Sequence, residues 1–551
     1  MITFLIGILI LIIGYFTWGK IAEKIFVPDD RLTPAYANGD GVERVPLSSK
    51  RNMMLQLLNI AGMGPIVGVA LGIKFGPIVF LLIPIGNVIG GAIHDYFAGM
   101  ISIRNNGADL PTLIKKFFGR FAGGIFVVFV SVALLLLVTT FTNIPANFIA
   151  NLLPFGTAVL VISIIGIFAY YIISSIFPID KIIGRIYPFF GSLLILITII
   201  VCIALIPQAG LIPDLPLSAE GILASFTAHP DGQPILPMLF ITIACGIMSG
   251  FHATQSPVVA KTIRHEKEGR RIFYGMMIVE GVIAMIWAAA TSILFTINPE
   301  TLSISNGNTI LTTAVFTLLP YFLGVLAIIV FIFLAITSGD TALRVLRTTT
   351  AEFLHSDQTK VRNRVLTVLP FVVIICGLLI WSNLSPTGYS VLWNYFAWFN
   401  QIIASCALLL ATAYLACKAK PWIITAVPAV FMSFICLTYL LWSSPEHIAG
   451  VPFGIGLPLE VSYVVSVIFD ADAVGNAVIQ RKDRAAAQHR RAHFVFQFPT
   501  DIVFTPAQHM LVDAAHECDL LTVFLTQRHH VHAGGRLTGV EHVHAAVDEC
   551  V

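Results

Sequence analysis

The chain has 551 residues, 57% of them hydrophobic and 11% charged, with a formal net charge of +2. A soluble domain carries about 25% charged residues, so this composition excludes a soluble fold, and the mean hydropathy of +0.87 agrees. A hydrocarbon core about 30 Å thick is crossed by about 20 apolar residues in a helix, and nearly uncharged runs of that length recur until about residue 469. They are rich in Leu, Ile, Phe and Val with interspersed Gly and Pro, which predicts helices rather than the alternating strands of a barrel. The expectation is an all-α, polytopic helical membrane protein.

The first run, Ile2 to Trp18, has no basic leader and no small-residue cleavage site, so it reads as a retained helix. In chain order the apolar runs predict 13 spans, at about 2–19, 52–73, 77–102, 121–141, 156–176, 186–206, 235–256, 272–296, 313–341, 365–381, 389–416, 421–442 and 452–469. The eight cysteines are scattered with no CxxC pair, so neither a disulfide framework nor a zinc site is indicated.

Loop charge sets the orientation. Lys20 to Arg51, Arg104 to Arg120, Lys181 with Arg185, Lys261 to Arg271, Arg344 to Arg364, and Lys418 with Lys420 all fall on one side of a 13-span layout. Of the 25 Lys and Arg before residue 470, 24 lie there, Lys74 being the exception. The positive-inside rule makes that side cytoplasmic, with the N-terminus outside and the C-terminus inside. The opposite loops carry acidic charge only, at Asp214, Glu220, Asp231, Glu300 and Glu446.

Two spans are interrupted. The first contains Gly62, Gly64, Pro65 and Gly68, the second Gly246, Ser249, Gly250, His252 and Pro257. Glycine costs a helix interior about 1 kcal/mol and proline about 3, so these are points where a helix unwinds. Unwound backbone in a membrane must face protein or a water-filled cavity, and paired broken helices point to the central site of a secondary transporter. Close helix packing through small residues is the plainer reading of any one of these glycines. Five spans run from each broken helix, the first set entering from the cytoplasm and the second from outside. The expected architecture is therefore a five-plus-five inverted repeat with accessory helices: residues 1–50 an accessory helix and cytoplasmic loop, 51–206 the first repeat, 207–416 an extracytoplasmic loop and the second repeat, 417–469 accessory helices, and 470–551 a cytoplasmic tail of low order.

Ionisable side chains within spans cost about 2.5 to 3.5 kcal/mol on insertion scales and mark ion and substrate paths. Asp95 with His94, Glu280, and Asp340 with Ser338 and Thr341 are the candidates for coupling-ion binding. Asp95 has a structural alternative as a partner of Arg104, and Asp340 as a partner of Arg344 or Arg347. Glu460, outside the repeats, is expected to pair within the accessory helices. His94 beside a carboxylate suits proton coupling, whereas the hydroxyls of Thr337, Ser338 and Thr341 suit sodium. Neutral polar groups on or near the broken helices, Gln56, Asn59, Asn87, Ser249, His252 and Gln255, are candidates for the substrate site with Gly62, Gly64, Pro65 and Gly250. Polar groups that only knit helices together are the competing explanation.

At these residues the chain resembles the carbon starvation protein A (CstA) family. The stretches that carry the resemblance are Asn59-Ile-Ala-Gly-Met-Gly-Pro65-Ile, Gly91-Ala-Ile-His-Asp95 followed by Arg104-Asn-Asn-Gly107, Cys245-Gly-Ile-Met-Ser-Gly-Phe-His252, and Asp340-Thr341 with Arg344. They run through most of residues 1–470, at a length similar to the shorter CstA-like members. The resemblance implies a cytoplasmic-membrane carrier of carbon-starved cells that imports peptides, or in some relatives pyruvate with protons. It also implies a fold akin to LeuT and the amino-acid/polyamine/organocation superfamily. The tail departs from this pattern, holding nine of fifteen histidines, among them His529, His530, His532 and His544, without a complete zinc spacing.

No HExxH, GxSxG or GxxxxGK[ST] occurs, which disfavours an intramembrane enzyme and an ATP-driven pump. A membrane-embedded nutrient sensor is the alternative of another class. The expected partners are the lipid bilayer, a peptide or small-molecule substrate, and a coupling proton or sodium ion, with no nucleic acid, cofactor or metal. The oligomeric state is left open.

Overall fold

The computed structural model describes residues 1–153, 156–177, 183–216, 218–304, 306–448, 451 and 454–470, with backbone only at 183–186, 244 and 245. The expectations for the 470–551 tail beyond Asp470 lie outside the described residues. Residues Met1–Ala416 and Lys420–Asp470 form one compact unit. Among the described residues every regular element is helical.

Among the described residues ten helices are long and apolar enough to cross a membrane, or eleven when one bent pair is taken as a single span. In chain order the principal helices are α1 (Ile2–Phe26), the bent pair α2 (Ser49–Ile60) and α3 (Met63–Phe75), α4 (Val79–Arg104), α5 (Arg120–Leu152), α6 (Gly156–Ile176) and α7 (Tyr187–Leu211). After a segment of short turns come α8 (Gly250–Ala260), α9 (Glu266–Ile297), α10 (Gly307–Leu318), α11 (Tyr321–Phe353), α12 (Val361–Leu384), α13 (Gly388–Cys417) and α14 (Ile423–Trp442). A last helix occupies 459–470.

Burial sorts them. The most apolar windows of α9 and α4 are 83% and 72% buried, against 28% in α1 and 22% in α12, so the former make the core and the latter present apolar faces outward. α11 runs along α5, α8 packs on α4, and α3 packs on α9.

Three boundaries differ from expectation for identifiable reasons. The predicted span at 313–341 is two helices, because Pro320 has no N–H to donate and holds Leu319 extended, at φ −114° and ψ 147°. α11 therefore starts at Tyr321 and reaches Phe353, which puts Asp340 inside a helix rather than at its end. The span expected to stop at 141 continues through Pro145 to Leu152, so α5 has 33 residues. At 1.5 Å per residue it is about 50 Å long, more than a bilayer core needs.

Candidate functional site

Both expected interruptions are present. α2 stops at Ile60, Gly62 takes an extended conformation (φ −70°, ψ −158°), and α3 resumes with its axis bent by 42°. A side chain at Gly62 would collide with Oγ of Ser338 on α11 unless that hydroxyl turned away from the Leu334 carbonyl it now bonds. In the second segment short helical turns at Phe240–Thr242 and Ala244–Ile247 precede α8, and Ser249 between them is extended (φ −137°, ψ 137°). Asn400 of α13 braces this break: its Nδ2 donates to Ser249 Oγ at 2.8 Å, and its Oδ1 accepts from the Phe251 N–H at 2.7 Å, as a helix cap does.

Between the breaks lies a buried polar chain. Gln56 Nε2 donates to Asp95 Oδ2 at 3.3 Å, Gln255 Nε2 to Gln56 Oε1 at 3.0 Å, and Asn59 Nδ2 to Gln255 Oε1 at 3.2 Å. Thr341 Oγ1 donates to Asn59 Oδ1 at 2.7 Å and shares a 2.9 Å hydrogen bond with the Tyr187 hydroxyl. These contacts join α2, α4, α7, α8 and α11, and all six side chains are buried.

A second series branches from Asp95. His94 Nδ1 lies 2.8 Å from Asp95 Oδ1, His252 Nδ1 lies 3.3 Å from the same oxygen, and His252 Nε2 lies 3.8 Å from Glu280 Oε1. The His252 imidazole thus stands between carboxylates on α4 and α9 at ion-pair distance, while its Nδ1 and both oxygens of Glu280 make no hydrogen bond among the described residues. Asn87, on the π-turn within α4, donates to the Met277 carbonyl at 3.0 Å, tying α4 to α9 one turn from Glu280.

The arginine partners expected for the carboxylates are engaged elsewhere. Arg104 pairs with Glu266 at 2.6 Å, not with Asp95. Arg344 and Arg347 pair with Glu43 at 3.1 and 2.6 Å, not with Asp340, whose Oδ2 accepts from Tyr170 at 3.2 Å. Burial pushes the Glu43 carboxyl up, but Arg344 and Arg347 outweigh it and hold it below the usual glutamate range. Glu460 is exposed and in no ion pair among the described residues, so the expected pairing is absent.

The candidate residues therefore fall into groups. Gln56, Asn59, His94, Asp95, His252, Glu280 and Thr341 are connected, and Ser338 abuts the backbone at Gly62. Gly64, Pro65 and Gly250 are buried beside the breaks. Asp340 faces α6 and stands apart from Asp95 in this hydrogen-bond pattern. Ser338 and Thr337 spend their hydroxyl hydrogens on the Leu334 carbonyl. Among the described residues no group of three or more His, Cys, Asp or Glu could hold a metal ion.

Sequence reading passed over Tyr170, Tyr187, Asn400 and Glu43. A signal existed for Asn400, since Asn400-Gln401 is a doubly polar step inside an apolar run, and both residues are buried.

The family model described as carbon starvation protein CstA matches residues 1–225, 162–314 and 298–439. The chain belongs to this family. CstA-family relatives include an uncharacterized membrane protein of Haemophilus influenzae, 42% identical over 55% of this chain and 93% of that one. The peptide transporter CstA of Campylobacter jejuni is 25% identical over 85% of this chain and 83% of its own length. The pyruvate/proton symporter BtsT of Escherichia coli is 29% identical over 50% of this chain and 46% of its own, so this chain spans less than half of that relative. Among solved structures, an Eremococcus coleocola manganese transporter superposes with a TM-score of 0.52 at 13% identity, covering 81% of this chain and 99% of that one, a likeness of fold alone.

Proposed function

We propose that this CstA-family protein is a secondary active importer of the cytoplasmic membrane that carries peptides by alternating access, coupled to protons. The observation that carries the reading is the His252 bridge between Asp95 and Glu280, placed beside two broken helices. Ionisable groups inside a helical bundle mark proton relays and substrate paths, and imidazole exchanges protons near neutral pH. In this reading the series His94, Asp95, His252 and Glu280 takes up and releases the coupling proton. Substrate binds next to it, against the backbone freed at Gly62 and Ser249 and the amides of Gln56 and Asn59, with Gly64, Pro65 and Gly250 shaping the walls.

Peptides as substrate rest on the Campylobacter jejuni relative, aligned along most of this chain. Pyruvate with protons is the second reading, favoured by the Escherichia coli symporter. We assign the basic loops to the cytoplasm, with the N-terminus outside and two inverted repeats over 51–206 and 207–416. Lys74, the exception to the charge rule, lies 4.0 Å from Asp231 of an acidic loop, where its charge has a partner. Sodium at Ser338, Asp340 and Thr341 is the alternative coupling ion: Thr341 and Ser338 donate their hydrogens to protein acceptors, which leaves oxygen lone pairs for a cation.

The test is uptake of a labelled dipeptide and of labelled pyruvate in cells expressing the chain, with and without a protonophore. Protonophore-sensitive uptake of the dipeptide is the expected result. Uptake of pyruvate alone would replace the substrate, and uptake of neither would favour a nutrient sensor.

A further inference from the structure

At the end of the bundle away from the basic loops, α5 and α12 end and α10 and α13 begin around a cleft of about 360 Å³. Small-molecule sites occupy about 300–1,000 Å³. Six asparagines line it: Asn143, Asn147, Asn151, Asn306, Asn308 and Asn383. Three of them, at 143, 147 and 151, recur every fourth residue and so share one face of α5. Thr309, Thr312 and Thr313 of α10 add hydroxyls opposite, and among the described residues not one Asp, Glu, Lys, Arg or His is in the wall.

The amides are held in place. Asn143 Nδ2 donates to Ser382 Oγ at 3.0 Å, Asn383 Nδ2 to Asn143 Oδ1 at 2.7 Å, and Asn308 Nδ2 to the Tyr389 hydroxyl at 3.0 Å. The hydroxyls of Thr312 and Thr313 donate back to carbonyls of their own helix and keep lone pairs for an incoming donor. Asn308 Oδ1 is buried without a partner among the described residues, and such an acceptor is destabilising until a donor reaches it. Two helix starts and two helix ends meet here, so their dipole fields oppose and favour neither sign of charge. A primary amide donates and accepts at once, which is the complement of a peptide bond. An anion such as pyruvate finds no cation in this wall.

We propose that this cleft is a second binding site, distinct from the broken helices, that takes an uncharged amide-bearing solute, namely the backbone of a peptide. The choice of a peptide rests on the import reading above; the amide chemistry rests on the cleft. The test is calorimetric binding of N-acetyl-alanyl-alanine amide, an uncharged peptide, to the purified full-length chain in detergent, with no ion gradient. Saturable binding is expected, at least tenfold weaker in Asn147→Leu and in Thr313→Val, and restored to within about threefold in Asn147→Gln. No saturable binding, or equal binding by both apolar variants with unchanged elution profiles, would overturn the site. Binding of glucose with the same variant dependence, and none of the capped peptide, would overturn the amide assignment. Binding here without peptide uptake in cells would sink the import reading and leave this site standing.

Discussion

The imidazole of His252 stands 3.8 Å from the Glu280 carboxylate, with its other nitrogen 3.3 Å from Asp95, so one side chain on α8 connects carboxylates on α4 and α9. A polar substitution of similar size that cannot carry a proton breaks the series. His252→Asn is expected to lower the initial rate of dipeptide uptake at least tenfold and to flatten its dependence on external pH between 5.5 and 7.5. His94→Gln, at the end of the series, is expected to cost less. Rates measured across that pH range check both, and a parental pH profile in His252→Asn would remove the histidine from the path.

The approach of Gly62 to Ser338 leaves no room for a methyl group. Overpacking of this kind costs about 1–3 kcal/mol, so Gly62→Ala is expected to melt at a lower temperature in detergent and to lose most uptake. Adding Ser338→Ala should recover stability, because the colliding hydroxyl is gone and alanine suits the interior of α11. A double mutant no better than Gly62→Ala would mean that backbone conformation, not the contact, makes glycine necessary.

Glu43 balances two arginines that are fully buried, Arg344 and Arg347. Arg344 also donates to the Ser174 and Phe177 carbonyls at the end of α6, so the loop before α2, α6 and α11 are fastened at one point. Glu43→Gln strands two buried cations, a defect that costs about 3–5 kcal/mol. The same pair carries a pH signature. A carboxyl held below its unfolded value stabilises above that value and loses the contribution as pH falls through its folded value. Thermal unfolding from pH 7 down to 3 should therefore fall less steeply in Glu43→Gln, from a lower start.

In the loop before α8, burial pushes the His229 imidazole down to about 4, with Lys74 adding to the effect and Asp231 opposing it. Above about 6.5 the ring is neutral in both folded and unfolded chains, so stability is at its full value. Between about 6.5 and 4 the unfolded chain binds the proton more readily, and stability declines as pH falls. His229→Gln is expected to lose this part of the decline, which melting curves at pH 7, 5.5 and 4.5 would register. An unchanged slope would place the ring in free contact with water.

The membrane class and both helix breaks were legible because they rest on composition and on glycine and proline in apolar runs. Gly62 and Ser249 lie where the pattern predicted a break. The start of the ninth predicted span was misread because residues 313–320 are apolar enough to extend it, and only Pro320 marks the division. Partners of the charges were not legible. Glu43 reaches Arg344 and Arg347 from about 300 positions away, while Asp340, four positions from Arg344, accepts from Tyr170 instead. The bridge from Asp95 to Glu280 was hidden for the same reason: His252 sits on a third helix, and spacing along one helix says nothing of what another presents to it. Asn400 could have been found as a polar pair with Gln401, but its role in bracing Ser249 depends on tertiary packing.

The central claim, that Glu280 at the end of the His252 bridge serves proton-coupled import, is tested most directly in proteoliposomes containing the purified chain. Labelled dipeptide would be supplied outside, with the exterior one pH unit more acidic than the lumen. The account predicts transient accumulation above equilibrium in the parent, abolished by a protonophore, and in Glu280→Gln only slow equilibration while exchange of dipeptide across the membrane persists. Equal accumulation in Glu280→Gln, or accumulation in the parent that ignores the pH gradient, would contradict it.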